Sequence, residues 1–314
     1  MSFFSEFILT AEYIENNSMA ELHTFIGFIR KKYMLDNVLT MIEGLKSGVP
    51  SERLQATIDP IGDFKLLNAV DLSNDMENLY QTVLIDSPVA EFFFKYLEQK
   101  SLGSSEAKEN MRDFTQMQTY FQEETPELVR SSLNRIWIET FHQHCLGLNE
   151  ISQINMDYLL KLEADFQTIQ VIYNSLDESN DKKEEIRSLL CPSLGHLYPL
   201  HFFKLKEAKT IEDLKSTVEA FPIYKMILSE IREANSHEDE NEAYLEDAMF
   251  LELTKAYSVS FDEQSNFSNF YAYVMLKEQE IKNVIWMAEM ISRGREQNDP
   301  KWNKFVVPFD VLDS

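Results

Sequence analysis

A chain of 314 residues has room for about two average domains or one large repetitive one, so size does not limit its core. Eight glycines and nine prolines are few for this length, and the abundance of Leu, Glu, Lys, Met and Ala favours long helices with few breaks, which predicts an all-α protein. The formal net charge of -24, from 53 acidic against 29 basic residues, opposes binding to nucleic acid or to an anionic leaflet and suits a basic protein partner.

In chain order, Ser2 to Asn16 carries Phe3, Phe4, Phe7 and Ile8 and reads as a short amphipathic helix. With Glu6, Glu12 and Glu15 in its apolar run and no basic start, it does not read as a secretory signal. Ser18 to Glu21 has the pattern of a capping box opening a long helix through Phe25, Ile29, Tyr33, Val38 and Ile42, ended by Gly44 or Gly48. Pro50 and Ser51 start the next element, Asn74 and Glu77 cap a helix through Leu79 and Val83, and Ser87 with Pro88 opens one through Phe92 and Leu97. The stretch 101–124 is polar and rich in Met and Gln, as a surface insertion would be. Thr125, Pro126 and Glu127 supply an N-cap, a first-turn proline and an early acid for a helix over Leu128 to Cys145. A further helix is expected over Leu162 to Leu176, with Asp177 to Glu185 a polar turn and Asn235 to Glu242 an acidic linker.

Gly195, the box Thr210 to Asp213, Leu214, Val218 and Pro222 echo Gly62, Asn74 to Glu77, Leu79, Val83 and Pro88 at an offset of about 135 residues, a repeat-like self-similarity. It predicts helical lobes: a divergent segment 1–18, a first lobe 19–124 containing the insertion 101–124, a second lobe 125–235, and C-terminal helices 236–314.

Motifs for chemistry are missing. No phosphate-binding glycine loop, H-E-x-x-H or G-x-S-x-G occurs, so neither a catalytic site nor a cofactor is expected. His142, His144, Cys145, Cys191, His196 and His201 are the only metal-ligand types that gather, and their spacing argues against zinc: His142 and His144 face apart on a helix and no C-x-x-C pair exists. Glu163 and Asp165 read as salt-bridge partners rather than an acid/base pair, because no nucleophile motif accompanies them. Cys145 and Cys191, far apart, fit free thiols in a reducing compartment.

The most informative stretch is Phe270 to Ile291. At about 100° per residue, Phe270, Tyr273, Val274, Ile281, Val284, Ile285, Ala288 and Ile291 share a face expected to be buried, with Lys277 in its middle and Glu278 and Glu280 beside it. Leu276, Trp286, Met287 and Met290 lie opposite, suggesting a helix covered on two sides. A buried Lys277 would need a carboxylate partner, so Lys277, Glu278, Glu280, Asn283 and Trp286 are candidates for an internal ion pair or for a docking site. Charges at its middle cost roughly 2.5 to 3.5 kcal/mol each in a bilayer, so any membrane association would be peripheral, without a transmembrane span.

The core Leu276, Lys277, Glu278, Gln279, Glu280, followed by Asn283 and Trp286, resembles the C-terminal signature of the d-subunit family of V-type proton ATPases, which has archaeal-type relatives. The resemblance continues in YMLDNVLTMIEGL (Tyr33 to Leu45), LIDSPVAEFF (Leu84 to Phe93), LEADFQTIQVIYNSL (Leu162 to Leu176) and LCPSLGHLYP (Leu190 to Pro199), and together these pieces span roughly nine tenths of the chain. It implies a pseudo-threefold helical funnel, a non-catalytic part of a rotary proton pump. That part would be seated on the proteolipid ring, against the central-stalk subunits and beside the large membrane subunit, on the cytosolic face of acidic organelles. A free-standing helical-repeat adaptor is the alternative. The family carries a further lobe-forming segment before the element matching Ala20 to Leu45, where about nineteen residues stand here. The resemblance therefore implies a truncated first lobe and a hydrophobic groove beside the helix Met19 to Leu45; Ser2 to Ile14 is apolar enough to fold back over part of it, the alternative being a truncated gene model with the groove left open.

Overall fold

The computed structural model describes residues 13, 17–64, 87–100, 124–229, 231, 238–263 and 265–294. The expected fold-back of Ser2 to Ile14, the helix through Leu79 and the insertion 101–124 lie outside them, apart from Tyr13 and Glu124. Among the described residues all regular structure is helical, as the composition predicts: eleven α-helices and a 3-10 turn, with no strand. The chain divides into two compact units, Met1–Phe141 and His142–Ser314.

In the first unit, α1 (Ala20–Lys46) buries Phe25, Ile29, Tyr33, Val38 and Ile42, the residues its periodicity marks. The expected capping box does not form. The helix starts at Ala20, so Met19 stands at the N-cap without a side-chain bond and Ser18 falls one position too early. At the other end Gly48 adopts φ +69 and its N–H donates to Leu45 O, so Gly48 is the terminator. Gly44 instead lies inside the helix, where a Cβ would come within 2.0 Å of the Leu54 side chain on α2 (Ser51–Thr57). Helices α3 (Ala90–Lys100) and α4 (Pro126–Cys145) follow, both near their expected positions. Trp137 of α4 is buried and donates from Nε1 to Phe28 O at 2.8 Å, while Phe141 packs its ring on Phe25 and Phe28.

The second unit is built on α5 (Glu150–Asn174), capped by Asn149, whose side chain accepts from Ser152 N. Then come α6 (Asn180–Leu190), α7 (Phe202–Glu207), α8 (Ile211–Val218), α9 (Pro222–Ser229), α10 (Glu238–Asp262) and α11 (Ser268–Ser292). The Thr210 to Asp213 capping box is present in full. Two polar stretches are more helical than their composition suggests. α6 begins within the expected turn Asp177 to Glu185, because its buried Arg187 and Leu190 give an otherwise charged segment a face to dock. α10 begins at Glu238, inside the expected acidic linker. One core joins these elements through Leu162, Phe166 and Ile169 of α5, Leu205, Leu214, Tyr224 and Leu228 of the short helices, and Leu245 and Met249 of α10.

Each unit holds a loop against its long helix by a buried polar side chain and a glycine. In the first, a Cβ on Gly62 would lie 2.4 Å from the Tyr33 backbone, and buried Asn37 of α1 exchanges hydrogen bonds of 2.8 Å with the N–H and C=O of Asp59 in the same loop. In the second, a Cβ on Gly195 would lie 2.1 Å from Asp165 Oδ1, and buried Asp165 of α5 accepts from the N–H groups of His196 and Leu197. A long helix thus holds the following loop by a buried polar side chain, and a glycine makes the approach close enough.

Gly195 also sits at φ +141, so Gly195→Ala should destabilise by about 2 kcal/mol or more. Gly27 of α1 has nothing within 4 Å of a would-be Cβ, and Gly27→Ala should stabilise by about 0.5–1 kcal/mol. Urea unfolding of the two variants checks the pair, and equal effects would contradict the close-approach argument.

Candidate functional site

The charged block of α11 folds onto its own helix. Lys277 Nζ meets Glu280 Oε2 at 2.8 Å and Lys282 Nζ meets Glu278 Oε1 at 2.7 Å, the spacings i,i+3 and i,i+4 that bring helical neighbours together. Gln279 donates to Asn283 Oδ1 at 3.0 Å, and Lys282 lies 5.2 Å from the Phe250 ring centre on α10. About a third of the Lys277 and Glu280 side chains stays accessible, so the pair is a half-buried surface pair and not the core pair expected from the apolar stripe.

That stripe requires correction. Val274 and Ile281 are buried, but Val284, Ile285, Ala288 and Ile291 are exposed, along with Trp286. The helix turns a different line inward: Tyr271, Ala272, Val274, Met275 and Ile281, then Asn283 and Met290. Hydrogen bonds fix this rotation near the start of α11. Tyr271 Oη donates to Glu163 Oε1 of α5 at 2.6 Å, Ser260 Oγ donates to Ser268 Oγ at 2.8 Å, and Phe267 N donates to the buried Ser152 Oγ at 2.8 Å. The second half of α11 therefore presents its best apolar row, Val284, Ala288 and Ile291 with Ile285 and Trp286, outward. Of the five candidates, Asn283 alone is buried, and Lys277, Glu278, Glu280 and Trp286 remain partly or largely accessible.

Glu163 and Asp165 serve separate neighbours. Glu163 accepts from the hydroxyls of Tyr257 and Tyr271, which bind α5 to the α10–α11 hairpin. Asp165 is 1% exposed and accepts from Tyr224 Oη at 2.6 Å besides the two loop N–H groups. Burial pushes its carboxyl up to about 6, against the lowering pull of the Tyr224, Leu197 and His196 bonds. Composition gives no hint of this node. Nor do its neighbours mark it, since Asp165 stands two residues from Glu163 in the mixed run Lys161 to Phe166.

Arg187 is a second buried polar node that sequence reasoning passes over. Its Nε donates to Ser175 Oγ at 2.8 Å, and its terminal nitrogens reach the carbonyls of Lys206, Ala208 and Ile172. The guanidinium thereby ties the C-terminal ends of α5 and α7, where carbonyls lack helical partners and the helix dipole is negative. The histidines and cysteines do not assemble. His142 bonds Asp157 at 2.7 Å, His201 packs edge-on against Phe221, Cys145 and Cys191 are both buried, and burial pushes the Cys145 thiol up. Among the described residues no group of three His, Cys, Asp or Glu could hold a metal ion, and no helix is long and apolar enough to cross a membrane.

Two predictions test the buried nodes. The folded-state value of Asp165 lies above the unfolded one, so its contribution to stability is full below about pH 4 and is lost as pH rises through about 6. Denaturation at successive pH values should show this loss, on the order of a few kcal/mol, and Asp165→Asn should flatten it. Arg187→Met takes the guanidinium donors from Ser175 Oγ, Lys206 O and Ala208 O, while Ile172 O keeps its bonds from Ser175, and should cost about 3 kcal/mol or more, with Arg187→Lys a poor substitute because one ammonium cannot reach all of these oxygens. Thermal melts of the two Arg187 variants read this directly.

The family model of the ATP synthase (C/AC39) subunit matches residues 4–301. The V-type proton ATPase subunit d of Dictyostelium discoideum is 30% identical over 297 residues, covering 95% of this chain and 75% of the relative. A probable V-type proton ATPase subunit d 2 of Drosophila melanogaster is 27% identical, with 95% and 77% covered. The V-type proton ATPase subunit d of Saccharomyces cerevisiae is 28% identical, with 91% and 74% covered.

Proposed function

Because the chain belongs to the ATP synthase (C/AC39) subunit family, among the d subunits of V-type proton ATPases, we propose that it is the non-catalytic coupling piece of such a pump. In this reading it sits on the proteolipid ring at the cytosolic face of an acidic organelle such as a vacuole, lysosome or endosome. It holds the central-stalk subunits, with the large membrane subunit beside it, so that ATP hydrolysis elsewhere drives proton translocation. The observation that carries the proposal is the family likeness across 95% of the chain. Two physical features support it. No described helix can cross a membrane, which fits a peripheral seat. The long helices are also braced by buried polar bonds at Asp165, Arg187 and Glu163, a stiffness that suits a part under torque.

We further assign the outward row of α11, with Trp286 and the Lys277–Glu280 pair, to the contact with a partner subunit. An accessible apolar row bordered by paired charges has the make-up of an interface core with a polar rim.

Affinity purification of the tagged chain in mild detergent should bring down proteolipid and stalk subunits, and recovery of the chain without either would overturn the reading in favour of a free helical adaptor. Lys277→Met should shift stability by no more than about 0.5 kcal/mol, since the pair is intrahelical and solvated. The double variant Ile285→Ser with Trp286→Ala should melt like the parent yet recover less of the complex. Normal recovery from a normally melting variant would remove α11 from the interface.

A further inference from the structure

Helix α11 ends on a residue that turns the chain. Gly294 adopts φ +66 and donates from its N–H to Ile291 O at 2.9 Å, and Arg293 N donates to Glu289 O at 3.0 Å, which closes the last helical turn. A left-handed residue at this place ends a helix and swings the chain off its axis, here within one turn of Ile291. Ile291 is the near end of the outward row, in which Val284, Ala288 and Ile291, with Ile285 at the edge, are all exposed. At 1.5 Å per residue the row is about 10 Å long.

The sequence that follows has the make-up of a tethered apolar strap. Arg295 to Lys301, REQNDPK, is a polar spacer of seven residues, and it leads into WNKFVVPFDVL, Trp302 to Leu312. Phe305, Val307, Phe309 and Val311 alternate along this run, which puts four apolar side chains on one side of an extended chain, and Pro308 in their midst opposes a helix. Extended, Phe305 to Phe309 covers about 13 Å, close to the length of the row. The spacer can reach up to about 23 Å, so every position of the row lies within its range. The tether also holds the segment at an effective concentration on the order of millimolar, whatever the concentration of other proteins.

We propose that in the isolated chain Trp302 to Leu312 lies along Val284, Ala288 and Ile291 of α11, and that a partner subunit docks on this row only by displacing it. Both occupants bury the same side chains, so they exclude each other, and the free subunit hides the row until a partner competes for it. The exchange leaves α11 itself in place, because the helix is anchored on its other side through Tyr271 and near its start through Phe267 and Ser152. The competition rests on the reading of α11 as a partner contact; the covering by the segment stands without it.

The test uses the full-length chain with pairs of introduced cysteines; Cys145 and Cys191 are buried and stay out of the reaction. Under mild oxidation of the isolated chain, Val284→Cys with Val307→Cys should close a disulfide about tenfold faster than Lys282→Cys with Val307→Cys. Positions 284 and 282 are about equally exposed and similarly far from Gly294, but they lie about 160° apart around the helix. Ala288→Cys with Phe305→Cys repeats the comparison should the first pair fold poorly. Equal rates on the two faces would overturn the covering. In affinity purification with partner subunits limiting, Phe305→Ser with Phe309→Ser should recover stalk and proteolipid subunits about threefold better than the parent, and unchanged or lower recovery would overturn the competition. The two readings fail separately. Face-selective closure with normal recovery from the Ile285→Ser, Trp286→Ala variant removes the partner from α11 and leaves the cover in place, whereas unselective closure removes the cover whatever the recovery.

Discussion

The second unit depends on the carboxylate of Asp165. Loops that pass close to a buried helix strand their N–H groups away from water, and each stranded group costs free energy unless something accepts from it. Asp165 accepts from His196 and Leu197 of the loop and from the Tyr224 hydroxyl of α9, so one side chain fixes three elements. A carboxylate has lone pairs enough for all three donors. The arrangement requires Gly195, because any Cβ there would occupy the space of the carboxylate oxygen. The turn with Leu200 and the short helix α7, next along the chain, take their position from this grip. Asn37 and Gly62 do the same for the first unit with a neutral amide, which can both donate to and accept from the Asp59 backbone.

The remaining buried polar groups extend this bracing. Arg187 places its donors on four oxygens near helix ends, and Glu163 gathers the hydroxyls of Tyr257 and Tyr271. Hydrogen bonds of this kind have stricter geometry than apolar packing, so they select one rotation and register of each helix where hydrophobic contact would tolerate several. The Tyr271 bond shows the consequence. It anchors one side of α11 to α5 and thereby commits Val284, Ile285 and Ile291, which are as apolar as many core residues, to the outside. An outward face of that composition, on a helix whose charges are already paired, is what a subunit of a larger assembly presents.

Much of the helical inventory was legible because its signals are local. Thr125 to Glu127 start α4, Thr210 and Asp213 close a capping box, and the apolar spacing of Phe25, Ile29, Tyr33 and Val38 marks the core of α1. Misreadings arose where a local pattern competed with packing. Ser18 has the right chemistry for a cap but stands one residue too early. The stretches from Asp177 and Asn235 look like solvated loops by charge, yet become helical at Asn180 and Glu238, since a few docked residues suffice to hold a helix in register.

The sequence by itself determined the helical class, the positions of most helices described and the family, because these rest on residues near one another in the chain and on motifs spread along it. It also located the charged block at Lys277 to Lys282. Which way that block faces was decided only in three dimensions. The periodicity of α11 defines more than one apolar line, and the choice between them comes from Glu163 and Ser152, more than a hundred residues earlier. The same holds for Asp165 and Arg187: nothing in their neighbouring residues distinguishes a buried acceptor or donor from a surface charge. Their partners come from loops and helix ends that folding alone brings within hydrogen-bonding distance.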